Sequence, residues 1–176
     1  MIAPRARLLL ACLALVATAF LGTGRAIAQE PALAELITDR LALMQDVAAW
    51  KYLHALPVED LPREAAVLEA MAAQATSLGL DPAPLVAFSA AQIDAAKAIQ
   101  SCWFARWTDG SFPAPTQAPD LAAVIRPEIL RIDAALVALV AAGQVPPTMP
   151  PPSLDCLAPQ TAATLAEAAL GLAGAG

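Results

Sequence analysis

Four polar side chains stand among apolar residues in segments with helical periodicity: Arg40, Lys51, Arg63 and Gln100. Guanidinium groups bind carboxylates in bidentate fashion, an ammonium group is a compact positive charge, and an amide N–H donates a hydrogen bond without titrating. Such a set suits a small dianion and the stabilisation of negative charge developing on an oxygen atom. For any single Arg or Lys, however, a solvated position on a helix surface is the ordinary outcome.

Arg40 and Lys51 are eleven residues apart, which is close to three turns of an α-helix. Both side chains therefore leave one face of a predicted helix, roughly 16 Å apart along its axis. Arg63 lies one turn into the next predicted helix and faces the first one if the two are antiparallel. Two charged residues at this spacing often share a helix face by chance. The pattern alone therefore leaves two interpretations open: the cations line a pocket, or they lie on the solvated surface.

Composition favours one helical domain of ordinary size. The chain has 176 residues, of which 59% are hydrophobic and only 5% aromatic. It carries 10 basic and 16 acidic residues, and three of the basic residues but no acid fall within the first 28 positions, so the remainder has a formal charge of −9. This charge argues against nucleic acid and anionic membranes as partners. An anionic ligand would need a place where cations are concentrated.

Residues 1–28 have the pattern of a secretory signal peptide. Arg5 and Arg7 precede an uncharged apolar run at residues 8–21, and Ala-Ile-Ala at residues 26–28 forms a cleavage site. The alternative is an uncleaved anchor, but the run is shorter than the roughly 20 residues that span a bilayer. We expect cleavage after Ala28 and a periplasmic or secreted protein without a stable membrane anchor.

Helical periodicity and helix-end signals predict an all-α bundle of about five helices. Asp60 is a predicted N-cap, Asp81 followed by Pro82 is another, and Gly79 fits the position just beyond a helix end. We expect a single domain over residues 29–176, with a core at 33–107 and a C-terminal helical part at 119–173. The predicted helices span residues 31–54, 61–78, 82–107, 120–142 and 158–172.

Two cysteines remain after signal cleavage, Cys102 and Cys156. In an exported protein a disulfide between them is the favoured prediction, and two buried free thiols are the alternative. One histidine and the absence of a Cys-x-x-Cys motif in the sequence disfavour a metal site.

Residues 36–107 resemble the core of the exported, all-helical chorismate mutases. The similar motifs are Arg40-Leu41-x-Leu43-Met44, Trp50-Lys51, Pro57-Val58-x-Asp60-x-x-Arg63-Glu64, Gly79-Leu80-Asp81-Pro82 and Ala91-Gln92-Ile93-x-Ala95-Ala96-Lys97-x-Ile99-Gln100. Each motif is weak by itself, but the ordered set is specific.

The resemblance implies rearrangement of chorismate to prephenate, a step towards Phe and Tyr, without a cofactor or metal. Arg40 and Arg63 would then bind substrate carboxylates. Lys51 and Gln100 would donate to the ether oxygen of the breaking bond, and Asp60 would contact the substrate hydroxyl besides capping its helix. A homodimer is expected, as is common for this fold class.

Three positions depart from the family pattern or leave it open. Ala96 stands where the family often has Ser or Thr, which removes one hydroxyl contact. A further Arg is expected from the second half of the chain, and spacing does not choose between Arg126 and Arg131. Lys97 lies next to the predicted site face, and we expect it to point outwards.

Two other functions compete with the enzyme. The first is a non-catalytic helical binding protein for a small dicarboxylate, which the alanine at position 96 favours. The second is a structural or interaction module whose cations lie on the surface.

Overall fold

The computed structural model describes residues 32–176, and the predicted signal peptide lies outside this range. Within it the chain is helical and contains no strand, which confirms the predicted all-α class. The six α-helices are α1 (Leu33–Ala42), α2 (Met44–Leu53), α3 (Leu61–Ser77), α4 (Pro82–Thr108), α5 (Arg126–Ala141) and α6 (Pro159–Gly171). A π-helical turn (Leu121–Ile125) precedes α5, and a 3₁₀ turn (Leu172–Gly174) follows α6.

The first predicted helix is divided in two. Leu43 separates α1 from α2 with φ −66° and ψ −14°, a backbone closer to a 3₁₀ than to an α conformation. The prediction of one continuous helix was therefore wrong at this residue. The break could not be predicted because the sequence has no Pro or Gly there. Arg40 therefore lies in the last turn of α1 and Lys51 in the last turn of α2.

The helix ends that depend on local side-chain chemistry lie close to their predicted places. The carboxylate of Asp60 accepts a hydrogen bond from the Arg63 N–H at the start of α3, and Asp81 accepts one from the Ala83 N–H at the start of α4. Gly79 has φ +74°, the left-handed conformation that ends α3. These caps fix where α3 and α4 begin, and so fix the height of the side chains in their first turns.

The π-helical turn before α5 was not predicted. Asp120 caps it by accepting from the N–H groups of Ala122 and Ala123, and the Arg126 N–H donates to the Leu121 carbonyl, five residues back. In a regular α-helix the ring of Pro127 would clash with the carbonyl four residues earlier. The wider π turn accommodates this proline and ends at Ile125, just before Arg126 begins α5.

The long helix α4 is the centre of the bundle. It packs against α2, α3 and α6, and α1 packs against α5. The fully buried side chains include Leu36, Leu85, Ile132 and Leu165, which come from four different helices. Cys102 of α4 forms a disulfide with Cys156, their Cα atoms 5.6 Å apart, and this bond ties the segment before α6 to α4.

None of the helices in residues 32–176 combines the length and apolar character that a membrane span requires. The bundle instead encloses a polar pocket, which is lined mainly by α1 to α4.

Candidate functional site

The predicted site residues meet in one cavity of about 140 Å³. Its apolar walls come from Met44, Val47, Val67, Ile93 and Leu121, among others. Its charged and polar lining consists of Arg40, Lys51, Asp60, Arg63, Glu64, Lys97, Gln100 and Arg126.

The charge of the lining is opposite to that of the chain. Five cationic side chains and two carboxylates face this cavity, so the lining has a formal excess of three positive charges. The whole chain has a formal charge of −6. Low-dielectric walls strengthen the field of such a cluster. The pocket is therefore suited to a small anion and repels cations.

Arg40 is the most deeply placed of these cations, with only 7% of its surface exposed. Its Nε–H donates to the Asp133 carboxylate of α5 over 2.7 Å. The same guanidinium also lines a second, much smaller cavity of about 10 Å³ behind the pocket. Arg40 thus lies between the two cavities and lines both of them.

Lys51 enters the pocket from the end of α2, and its ammonium group donates to the Val58 carbonyl over 2.6 Å. Burial lowers the pKa of Lys51 from its ordinary value of 10.5, the negative charges of Asp60 and Glu64 act in the opposite direction, and the positive charge of Arg126 lowers it further. The net shift is downward.

Gln100 is 5% exposed, and the two ends of its amide differ in their hydrogen bonding. Its Nε2 donates to the Ala96 carbonyl over 3.1 Å and has only the thioether sulfur of Met44, at 3.8 Å, as a second partner. Its Oε1 is buried and has no hydrogen-bond partner in residues 32–176. Leaving a buried polar atom unpaired costs roughly 1–3 kcal/mol, so a polar ligand would compensate it.

Ala96 lines the pocket without offering a side-chain hydroxyl. Its contribution is the backbone carbonyl that holds the Gln100 amide. The expected loss of one hydroxyl contact at this position therefore applies, and the amide orientation does not depend on it.

Lys97 points into the pocket, so the expectation that it points outwards was wrong. Its ammonium donates to the Glu64 carboxylate over 3.0 Å and lies 3.5 Å from Asp94. The hydrogen bond with Glu64 raises the pKa of Lys97. Burial acts to raise the pKa of Glu64, but the hydrogen bonds from Lys97 and from the Asp60 N–H outweigh it and lower that pKa.

Glu64 is a pocket residue that the sequence analysis did not select as a site residue. It was named only as the last residue of the motif Pro57-Val58-x-Asp60-x-x-Arg63-Glu64. The available signal was its position four residues after Asp60, since side chains at this spacing share one helix face. The Asp60 N–H donates to its carboxylate over 3.3 Å.

The two candidates for the additional arginine lie in different environments. Arg126, the first residue of α5 after the π-helical turn, lines the pocket and also a wider groove of about 530 Å³ beside it. Arg131 is 61% exposed and forms an ion pair with Glu128 at 2.6 Å, and it does not line the pocket. The structure thus brings Arg126, and not Arg131, to the other predicted residues.

Sequence and structure comparisons give the same family. The model for chorismate mutase type II matches residues 30–101. A chorismate mutase from Burkholderia thailandensis of known structure is 38% identical, the match covers 77% of this chain and 80% of that one, and the TM-score is 0.60. The chain belongs to the type II chorismate mutase family.

Members of this family that carry the word secreted in their names are also similar. The secreted chorismate mutase of Yersinia pestis is 44% identical over 86 residues, which are 49% of this chain and 45% of that protein. Its crystal structure superposes with a TM-score of 0.69 at 28% identity, over 82% of this chain and 96% of the other. In the sequence alignments, the chain spans less than half the length of the first curated relatives that it matches. The family resemblance predicted from the motifs is confirmed.

Proposed function

We propose that this protein is a chorismate mutase that converts chorismate to prephenate by an intramolecular Claisen rearrangement. In this step the ether C–O bond breaks while a C–C bond forms within the same molecule, and no atom enters or leaves. The reaction requires a dicarboxylate held in a compact conformation and stabilisation of the ether oxygen as it becomes negative. The convergence of guanidinium groups, one partly buried ammonium and one buried amide on a single pocket carries this proposal.

Carboxylate binding is assigned to the arginines. Arg40 approaches from α1, Arg63 from the first turn of α3 and Arg126 from the start of α5. A planar guanidinium binds a carboxylate through two parallel hydrogen bonds, which fixes orientation as well as distance. Arg126 is preferred to Arg131 because it lines the pocket, whereas Arg131 is exposed and paired with Glu128.

Stabilisation of the ether oxygen is assigned to Lys51 and Gln100. The Lys51 ammonium is already oriented by the Val58 carbonyl, so little reorganisation is needed when charge develops. One N–H of Gln100 is held by Ala96, and the other faces only a weak sulfur acceptor, which an ether oxygen can replace. Asp60 is the proposed contact for the substrate hydroxyl, besides its role as the cap of α3.

The experiment is turnover of chorismate by the purified protein, followed by loss of its ultraviolet absorbance and by detection of prephenate. Lys51→Ala should reduce kcat/KM by about a thousandfold, since the group acts where charge develops. Lys51→Met keeps the apolar stem and should lose nearly as much, with helical circular dichroism unchanged in both. Activity within a few-fold of wild type in these variants contradicts the mechanism.

The binding-protein alternative predicts a different result. Wild-type protein would then show no turnover, while chorismate would still raise its melting temperature through the same cations. A catalytic protein shows both effects, and a structural module shows neither.

Export is proposed from the pattern of residues 1–28 together with the secreted relatives. The expected mature protein begins at Gln29 and is found outside the cytoplasm. N-terminal sequencing of the exported protein tests this, and an intact Met1 contradicts it.

A homodimer is proposed as the working assembly. Val124 and Leu130 are more than half exposed at the π-helical turn and in α5, and they offer apolar surface for a second copy. The molecular mass from light scattering, compared with the mass of one mature chain, tests the assembly.

A further inference from the structure

One carboxylate outside the pocket holds a cation inside it. Asp133, on α5, accepts from Arg40 Nε–H over 2.7 Å, although the two residues are 93 positions apart. The Asp133 side chain is 16% exposed, and Arg40 is more deeply buried still. This pair is the most deeply buried ion pair in the described part of the chain.

The atom of Arg40 that bonds to Asp133 determines which N–H donors of the guanidinium remain free for a ligand. A guanidinium has five N–H donors in a rigid plane, and Asp133 engages the single donor on Nε. Within residues 32–176 the Nη atoms of Arg40 make no hydrogen bond. A bond at Nε therefore fixes the guanidinium by its stem side and leaves four donors for a ligand carboxylate.

We propose that Asp133 is a positioning residue that orients Arg40 for the substrate carboxylate; this inference rests on the proposed function. Asp133 faces the small cavity behind Arg40, together with the neutral side chains of Ser89 and Gln92. It does not line the main pocket. Its effect on the substrate passes through Arg40.

A purely electrostatic role for Asp133 and a positioning role predict opposite changes in KM when Asp133 is removed. Asp133 places a negative charge next to a cation that binds an anion, so its removal increases the net positive charge near the pocket. A residue that acted only by charge would therefore raise KM, and its loss would lower KM. A positioning residue gives the reverse, because an unheld guanidinium loses orientation and leaves a buried charge unpaired. The direction of the change in KM separates the two roles.

The test measures kcat and KM for chorismate in Asp133→Ala and Asp133→Asn. We expect KM to rise about tenfold to a hundredfold in Asp133→Ala, with a smaller fall in kcat, because binding of the carboxylate is shared by ground state and transition state. Asp133→Asn keeps an acceptor oxygen for Nε–H and should recover part of the loss. A KM at or below the wild-type value in both variants overturns the inference.

A double-mutant cycle with Arg40 adds a second criterion. If Asp133 acts through Arg40, Asp133→Ala costs little further kcat/KM in an Arg40→Ala background. Full additivity of the two losses overturns the positioning role. If Asp133→Ala does not fold, the same cycle is made with Asp133→Asn, for which a KM above wild type supports the inference and an unchanged KM overturns it.

Two controls separate the possible failures. Asp155→Asn removes the carboxylate partner of Arg106 on the surface, where two hydrogen bonds of 2.9 and 3.1 Å join the pair, and should leave KM unchanged. Wild-type turnover with an unaffected Asp133→Ala rejects only the positioning role. No turnover by the wild-type protein rejects the proposed function and the positioning role that depends on it.

Discussion

Two regions of the bundle build the pocket in different ways. The helices α1 to α4 provide Lys51 and Gln100, the groups proposed to act on the reacting oxygen, in segments that the family model largely covers. The π-helical turn and α5 lie beyond residue 101, where that model ends, and they provide Arg126 and the carboxylate that holds Arg40. The first region thus contributes the groups for bond breaking together with the carboxylate-binding Arg40 and Arg63, and the second contributes groups that bind and orient.

This difference has a kinetic consequence. Loss of a group that acts only as charge develops lowers kcat and kcat/KM together, whereas loss of a group that binds a carboxylate throughout raises KM. Variants of Lys51 and Gln100 in the first region should therefore affect mainly kcat, and variants of Arg126 and Asp133 in the second region mainly KM. If variants in both regions give the same pattern, the proposed division is wrong.

After Lys51, the largest effect is expected at Gln100, which also lies in the first region. Gln100→Met removes the amide but keeps similar volume, and kcat should fall by about a hundredfold to a thousandfold. Gln100→Glu places a carboxyl group at the same buried position, and only its protonated form donates to an ether oxygen. We expect its activity to be low at neutral pH and to rise as the pH falls.

The pH dependence of the three proteins is the measurement. Wild-type activity should persist through neutral pH because an amide does not titrate, and Gln100→Met should show a loss that is the same at each pH. An equal loss in Gln100→Met and Gln100→Glu throughout the acidic range would show that donation by residue 100 is not involved.

Helix ends were predictable where local chemistry sets them, and other features were not. Asp60 and Asp81 cap their helices by bonds that span two or three residues, so the sequence contains the whole interaction. The break at Leu43 has no such signal. The π-helical turn depends on how the chain accommodates Pro127, and that outcome is set by packing of the bundle as well as by the proline.

The same distinction applies to the site. Arg40, Lys51 and Arg63 were identifiable because their spacing repeats on helix faces and their motifs resemble a family. The inward direction of Lys97 depends on Glu64, 33 residues away on another helix. Asp133 was not identifiable, because its partner is 93 residues distant and no motif surrounds it. Long-range pairs of this kind follow from the fold and not from local pattern.

A matched pair of arginines tests the second region with an intermediate effect. Arg126→Met removes a guanidinium that lines the pocket, and KM should rise about tenfold or more with a smaller change in kcat. Arg131→Met removes a guanidinium five residues later in the chain that is paired with Glu128 on the surface, and both constants should stay within about twofold because exposed ion pairs contribute little. If KM stays within about twofold of the wild-type value for Arg126→Met as well as for Arg131→Met, neither arginine contacts the substrate.

The smallest expected effect is a shift in the alkaline limb of the pH profile of kcat/KM. It depends on one residue from each region. In the proposed mechanism Lys51 acts as a cation. Burial lowers the pKa of Lys51 from 10.5, and the negative charges of Asp60 and Glu64 oppose this shift without cancelling it. Activity should therefore fall at a pH below the ordinary lysine value as this group loses its proton. Arg126 lowers the same pKa by repulsion between like charges.

Removing a charged neighbour of Lys51 from the first region and one from the second should shift the alkaline limb of kcat/KM in opposite directions. Glu64→Gln takes away a negative charge that favours the ammonium form, so the pKa of Lys51 falls and the limb moves to lower pH. Arg126→Met takes away a positive charge that disfavours it, so the limb moves to higher pH even though KM rises. Steady-state rates at limiting chorismate across the alkaline range measure both shifts. Shifts of the same sign would mean that the limb reports a group other than Lys51, since both substitutions act on that ammonium through charge of opposite sign.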